Sequence, residues 1–559
     1  MVKKILSFVG REISGLHEAA YLLAGSAVAS LIFALVRDRL LAQMLGASAT
    51  LDVYYAAFRV PDFIYVTVAS LVSTSILVPF LIESRQKGDD ELRTSIKNLF
   101  SAFLGLIVIV CGVVFVFMEP IQRLLFPEIF THGFGTDLIN ASRILLLSPI
   151  LLGVAGFFTS ITQMQNRFLA YALSSPLYNI GIILGIVFFL PMYGIDGLAW
   201  GVILGAGLLT LAQLPLVLRD GFCPGIVWRI DWSKVKKVAA LSVPRTLTLS
   251  SQQITTLSLV SLAGLLGTGS ISIFSLALNL QSVPLSIIGA SYSSAAFPVL
   301  AKLMAENNRL AFLDKMIAAT RHVIFWSVPI TILFVVLRAQ IVRTVLGSGE
   351  FDWSDTRLTA AALALFVISS VAQCLMLLFV RSFYAEGKTA KPLIINMVAM
   401  VATVIAAFVL NYIYASSTTF QYFIQSLLRT DGIEGSAVLM LPLAFTFGAF
   451  LNLGLHWRSF AREFSGFTSS VMATAAQSIS ASIIGGYVAF GSLRLFDNIF
   501  DLNTLPGVFF QGLCAGIVGI IVIIIVLRLL RSKELSDIVE TLQYKIWKVD
   551  RASLDRLQS

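Results

Sequence analysis

The stretch GIDGLAWGVILGAGLLTLAQLPLVLR (194–219) carries no charged residue between Asp196 and Arg219. About 18 apolar residues in a row can cross a hydrocarbon core roughly 30 Å thick as an α-helix. Similar runs recur along the whole chain, and a water-soluble core could not hide so many. Lipid offers no partner for a free backbone N–H or C=O, so an open chain must span it as helices. The reading is an all-α polytopic membrane protein. Composition agrees: of 559 residues, 57% are hydrophobic and 13% charged, against about 25% charged in a soluble domain. The mean hydropathy is +0.87.

Outward from this stretch, about fourteen spans are expected. They lie near 19–36, 56–82, 98–118, 143–164, 171–190, 196–218, 238–263, 271–300, 320–340, 358–383, 391–412, 434–456, 470–492 and 507–530. No hydrophilic stretch is long enough for a separate domain. The longest connections, around 119–142 and 412–433, read as plain loops of about 20 to 25 residues. Basic residues set the orientation: with the N-terminus inside, about 29 of the 40 Lys and Arg fall in cytoplasmic segments. The net charge of +9 follows from that bias, and no nucleic-acid partner is needed. Residues 1–18 read as a cytoplasmic amphipathic segment, without the apolar core and cleavage site of a signal peptide. Residues 532–559 form a cytoplasmic tail. Both termini are expected in the cytoplasm.

The opening tetrapeptide also belongs to a repeat. Gly194-Ile195-Asp196-Gly197 returns as Gly432-Ile433-Glu434-Gly435. Leu45-Gly46-Ala47-Ser48 returns as Leu266-Gly267-Thr268-Gly269, and Val60-Pro61 as Val283-Pro284. Ser75-Ile76-Leu77-Val78-Pro79 returns as Ser294-Ala295-Ala296-Phe297-Pro298. The order is kept, and each copy holds six spans. An even number leaves both copies in one orientation, with a pseudo-twofold axis along the membrane normal and a substrate cavity between the lobes. The expected division is an N-lobe (19–220), a C-lobe (221–460) and two added helices (461–531).

Charges at or inside spans point to function, because burying one unpaired is costly. Span 1 ends in Arg37-Asp38-Arg39. Span 2 carries Asp52, Arg59 and Asp62, and span 7 carries Arg245 beside Pro244. Asp52 and Arg59 are seven residues apart and share a helical face. One reading is a cationic cavity holding phosphate or pyrophosphate, with arginines as bidentate donors. The other is an Asp52–Arg59 ion pair bracing a bent helix, with Arg37, Arg39 and Arg245 snorkelling to the interface. Arg167, Asn179, Asn279 and Gln252-Gln253 read as polar groups bonding neighbouring helices. Trp228 to Lys237 reads as an interfacial helix. The four cysteines are dispersed (Cys111, Cys223, Cys374, Cys514), as are the histidines, so neither a disulfide nor a metal site is expected. No nucleotide loop or hydrolase motif appears, so no cofactor and no enzyme activity are expected. The loop acids Glu119, Glu128, Asp137, Glu350, Asp352 and Asp355 read as solvated charges. Transport must then draw on a gradient, on product consumption or on the membrane potential. The potential is worth about 2.3 kcal/mol per charge per 100 mV and favours export of an anionic headgroup.

VRDRLLAQMLGASATLDVYYAAFRVPDF (36–63) resembles the signature at spans 1–2 of the MurJ (MviN) lipid II flippases of the MOP flippase superfamily. QNRFLAYALSSPLYNIGI (165–182), the stretch at 194–219, SGEFDWSDTRLTAAAL (348–363) and RSFYAEGKTAKP (381–392) are similar to further pieces of that family. The resemblance covers roughly residues 20–530. It implies two six-span lobes and two extra helices forming a groove for a polyprenyl tail. It also implies flipping of undecaprenyl-pyrophosphate-linked peptidoglycan precursor across the cell membrane, with the bilayer and the cell-wall synthesis machinery as partners. Arg37, Asp52 and Arg59 match family cavity positions. Three arginine positions of the family are filled by Leu31, Tyr65 and Asn279 here. The candidate substrate-binding set is Arg37, Arg39, Asp52, Arg59, Arg245 and Asn279. Alternatives are a flippase for another polyprenyl-linked oligosaccharide (O-antigen, capsule or teichoic acid), a cation-coupled exporter, a membrane glycosyltransferase, or a scaffold with a collapsed cavity.

Overall fold

The computed structural model describes residues 16–69, 74–165, 167–219 and 224–547, and among them the chain is helix and turn with no strand. Among the described residues every predicted span falls on helix. Ten units are long and apolar enough to cross a membrane, and one of them, Ala172–Leu218, contains both span 5 and span 6. Span 1 (Leu16–Leu45), the broken span 2 and span 7 (Trp232–Gly264) make up the remainder.

Spans 2 and 8 break in the same way. Span 2 runs as Ala49–Ile64 with Pro61 inside, widens into a π-helical turn at Tyr65–Ala69, and resumes as Thr74–Gln86 with Pro79. Span 8 runs as Ser270–Pro284, widens at Leu285–Ala290, and resumes as Ser291–Ala305 with Pro298. Proline has no N–H to give and crowds the carbonyl four residues back. A local π adjustment re-satisfies the freed backbone groups. The repeated Val-Pro thus produces a repeated bend.

Spans 5 and 6 form a hairpin that turns at Gly194, with φ 60 and ψ −139. Below the turn the two backbones meet directly: a Cβ at Gly181 would strike the backbone of Gly205, and one at Gly185 would strike Gly201. With little hydrophobic drive between helices in lipid, such close approach supplies the packing energy.

The buried apolar residues fall into four groups. One sits at the end of the molecule that holds residues 46–48 and 267–269, and it mixes the two halves: Leu41, Val53 and Ala56 pack with Ile271, Phe274 and Phe366. At the opposite end the halves have separate cores. Leu77, Leu92 and Phe157 belong to the first, and Phe312, Phe379 and Phe460 to the second. The fourth group joins span 9 (Arg309–Val336) to spans 13 and 14 (Phe467–Phe496 and Leu505–Leu529). The halves are therefore joined at one end and carry separate cores at the other. Span 7 bridges them. Its first turns lie against the first half, where Lys234 pairs with Glu91 at 2.7 Å and Lys237 with Glu83 at 3.0 Å.

Some loop readings need correction. The connection around 119–142 is built of short helices, Met118–Leu125, Pro127–Thr131 and Gly135–Leu145, and the last runs on into span 4. The connection around 412–433 contains Thr418–Leu428. The predicted interfacial helix starts only at Trp232. Residues 224–231 are non-helical because Asn98 Oδ1 accepts from Asp231 N at 3.1 Å and Ser101 Oγ from Val227 N at 2.8 Å, which holds the linker to span 3 (Asp89–Val116). Trp228 is 96% exposed there. Cys111 and Cys374 are buried free thiols, while Cys514 is only partly buried; Cys223 lies outside the described residues. So do residues 1–15 of the predicted N-terminal segment and residues 548–559 of the tail. The rest of the tail includes the helix Lys533–Trp547.

Candidate functional site

Four of the predicted site residues, Arg39, Asp52, Arg59 and Asn279, reach from one half to the other where the two halves join. Span 8 has Gly269 at its N-cap, in the left-handed region, with no side chain to satisfy its first turn. Asp52 of span 2 supplies that cap instead. Its carboxylate accepts from Gly269 N at 2.6 Å, from Ser272 N at 2.7 Å and from Ser272 Oγ at 2.6 Å. A carboxylate at a helix N-terminus meets orphan N–H groups and the positive end of the dipole together. Gly269 also permits the approach, since a Cβ there would lie 2.5 Å from the carbonyl oxygen of Ala47.

Asp38 is the centre of a second contact. It is 2% exposed. Its Oδ1 accepts from Arg37 Nε at 2.9 Å, and its Oδ2 from Asn279 Nδ2 of span 8 at 3.2 Å. Arg37 also donates to Asn179 Oδ1 of span 5 at 3.1 Å. Arg39 points elsewhere. It donates to the carbonyl of Thr344 at 2.6 Å, at the C-terminus of the short helix Arg338–Val345, where a cation is favoured. The loops close the same end: Ala47 N donates to Asp355 Oδ2 at 3.0 Å, and Glu350 N to the Gln43 carbonyl at 3.0 Å.

Arg59 donates to Ser275 Oγ of span 8 at 3.1 Å. Its Nε is buried with no hydrogen-bond partner among the described residues. A guanidinium has five N–H donors in a planar fork. Arg37 spends its donors on Asp38 and Asn179, and Arg39 on backbone carbonyls. Arg59 keeps donor capacity for an oxygen-rich group, and an unsatisfied buried donor of this kind calls for an explanation.

The structure does not join Asp52 to Arg59. Each reaches across to span 8 separately, so the alternative reading of an ion pair along span 2 does not hold among the described residues. Asn279, where the resemblance implies an arginine, keeps a hydrogen bond across the halves. Leu31 lies within span 1 and Tyr65 opens the π turn. Arg245 is on the helix of span 7, and its side chain lies outside the described residues. Asp355, read as a solvated loop charge, is half-buried and holds the Ala47 amide. Asp38, read with its arginine neighbours but outside the candidate binding set, is central to the joint, as are Ser272 and Ser275, which the sequence does not mark. For Asp38 a signal existed, an acid between two arginines at a span end; for the serines none did. The described residues include no group of His, Cys, Asp and Glu arranged to hold a metal ion.

The family model described as "Lipid II flippase MurJ" matches residues 41–510. A probable lipid II flippase MurJ from Bdellovibrio bacteriovorus is 25% identical over 72% of this chain and 79% of its own length. One from Haemophilus influenzae is 27% identical over 67% of this chain and 76% of its own. A solved structure titled "Lipid II flippase MurJ, inward closed conformation" superposes with TM-score 0.71 at 20% identity, covering 93% of this chain and all (100%) of that one. An inward-facing MATE family multidrug transporter of the MOP superfamily gives TM-score 0.61 at 16% identity, over 78% of this chain and 96% of its own.

Proposed function

The chain belongs to the lipid II flippase MurJ family, a family of membrane transporters and not of enzymes, and from that premise we propose what it carries and how. Its substrate is an undecaprenyl-pyrophosphate-linked peptidoglycan precursor. It moves this lipid from the inner to the outer leaflet of the cell membrane by alternating access between an N-lobe (19–220) and a C-lobe (221–460). The positive-inside bias puts both termini in the cytoplasm. The joined end then faces outward, and the separated cores face the cytoplasm, where the lipid-linked precursor is made.

The observation that carries this reading is Arg59, a guanidinium with spare donors on the surface between the halves. A pyrophosphate presents the oxygens such a fork fits. Arg37 supplies the coupling. An incoming phosphate competes with Asp38 for the Arg37 guanidinium, and Asp38 is the group that Asn279 holds from the other half. Loading the site thus weakens a contact that keeps the outer end shut. With the cell interior negative, the membrane potential favours outward movement of the anionic headgroup.

The test is complementation of a bacterium depleted of its own lipid II flippase. Rescue by the chain, lost in Arg59→Ala and in Arg37→Ala at equal membrane abundance, is expected. No rescue by a folded, membrane-inserted chain would overturn the substrate assignment. A second reading, transport of another polyprenyl-linked glycan, draws support from Leu31 and Asn279 standing where the resemblance implies arginines. Rescue of a strain lacking an O-antigen or capsule flippase, without rescue of the lipid II strain, would select it.

A further inference from the structure

A pocket of about 430 Å³ lies inside the second half, among spans 7, 8, 10, 11 and 12, and its described lining includes none of Arg37, Arg39, Asp52, Arg59 and Asn279. Its volume falls in the range of small-molecule sites. Among the described residues its lining has a single charged side chain, Arg381, and no carboxylate. The other polar groups are neutral, among them Gln252, Gln373, Asn396, Thr403 and Asn452, and Phe297 and Phe445 give it an apolar side.

Asn452 says what is missing. It is 8% exposed, and its Nδ2 donates to Asn396 Oδ1 at 2.8 Å. Its Oδ1 is buried with no hydrogen-bond partner among the described residues. A buried amide oxygen left without a donor is uncommon and marks a place for a ligand or water. Gln373 is similarly buried, its Nε2 held by Ser369 Oγ at 2.7 Å. Hard cations take carboxylates and carbonyls; the described wall offers amide carbonyls but no acid to offset a cation's charge, and places Arg381 beside them, which favours a neutral ligand. An O–H or N–H group satisfies Asn452, and the aromatic side accommodates the apolar face of a ring.

We propose that this pocket is a second binding site, for an uncharged, amide-bearing sugar. The sugar has two possible sources, a free solute or the headgroup of the transported lipid; the latter rests on the function proposed above. The test uses the full chain purified in detergent and saturation-transfer NMR with N-acetylglucosamine, glucose serving as the control without an amide. Saturable binding of N-acetylglucosamine is expected in the wild type and in Arg59→Ala. It falls at least tenfold in Asn452→Leu and in Ala449→Leu, which fills the pocket. Should Asn452→Leu fail to fold, Ala449→Leu decides alone. No binding by the wild type, or equal binding by both pocket variants, overturns the site. Sodium-22 bound by the wild type and lost in Ala449→Leu overturns the ligand class. Binding that depends on the pocket in a chain that rescues no flippase-depleted strain leaves the site standing for a free sugar while the transport reading falls. Loss of rescue together with binding in Ala449→Leu assigns the sugar to the lipid headgroup.

Discussion

A single side chain at the joint between the halves does one of two jobs, recognition or closure, and substitution separates them. Arg59 has donors to spare, so Arg59→Lys, which keeps charge but loses the fork, should transport far less while folding normally. Uptake of lipid II into vesicles and the thermal midpoint read the two effects apart. Asp52 is fully engaged, and its loss should act on closure. Asp52→Ala removes three charge-assisted bonds and should favour opening by roughly 2 kcal/mol. A cysteine at Ile271, which lines a small pocket beside Asp52 and is 1% exposed, should then react with an impermeant maleimide more than tenfold faster. An unchanged labelling rate would rule out the cap as a closure element. Far from the joint, Glu534 holds the tail helix to span 13. Burial alone would raise its carboxyl, but hydrogen bonds from Thr474 at 2.7 Å and Ser532 at 2.9 Å, with the charge of Arg321, hold it below the usual range. A lowered carboxylate stabilises above its unfolded value, and the gain is lost as pH falls through the lowered one. Proteolysis of the tail should therefore rise only below about pH 4, and Glu534→Gln should abolish that dependence.

At the scale of the element, the span 5–6 hairpin is where sequence and packing agree most closely. Gly201→Val would drive a side chain into the Gly185 backbone, with a Cβ 2.5 Å from its Cα. A cost of about 1–3 kcal/mol is expected, visible as a lower thermal midpoint and a poorer yield of monodisperse protein. Gly207→Val in the same helix meets nothing within 4 Å of its Cβ and should be neutral. Equal effects would show that helix propensity, and not the zipper, is at stake. The Val-Pro repeat was legible because proline has one physical consequence in a helix. The short helices at 118–145 and 418–428 were not, because an amphipathic turn of eight or eleven residues carries too few apolar positions to stand out from a loop.

For the whole molecule, the number and order of spans were readable because lipid forces long apolar helices. Where the halves touch was not, because Ser272 and Ser275 look like any serines in a span until span 2 lies against them. The candidate arginines were found as charges in the wrong place, but their separate duties depend on partners more than 140 residues away. The joined end can be tested directly. With the four native cysteines replaced, Asp52→Cys and Ser272→Cys bridged by a short bis-methanethiosulfonate, which forms a disulfide to each thiol with loss of methanesulfinate, should stop transport, and reductant should restore it. Continued transport in the bridged chain would mean that this end never opens. Span 8 has a glycine where most helices carry their own capping side chain, so the Gly269 and Ser272 amides are satisfied only while the halves meet. When they part, those amides must be met by solvent. Opening is therefore a hydration reaction as well as a rocking motion, and water is one of its reactants. Its rate should fall when water activity is lowered by a polymer too large to enter the gap.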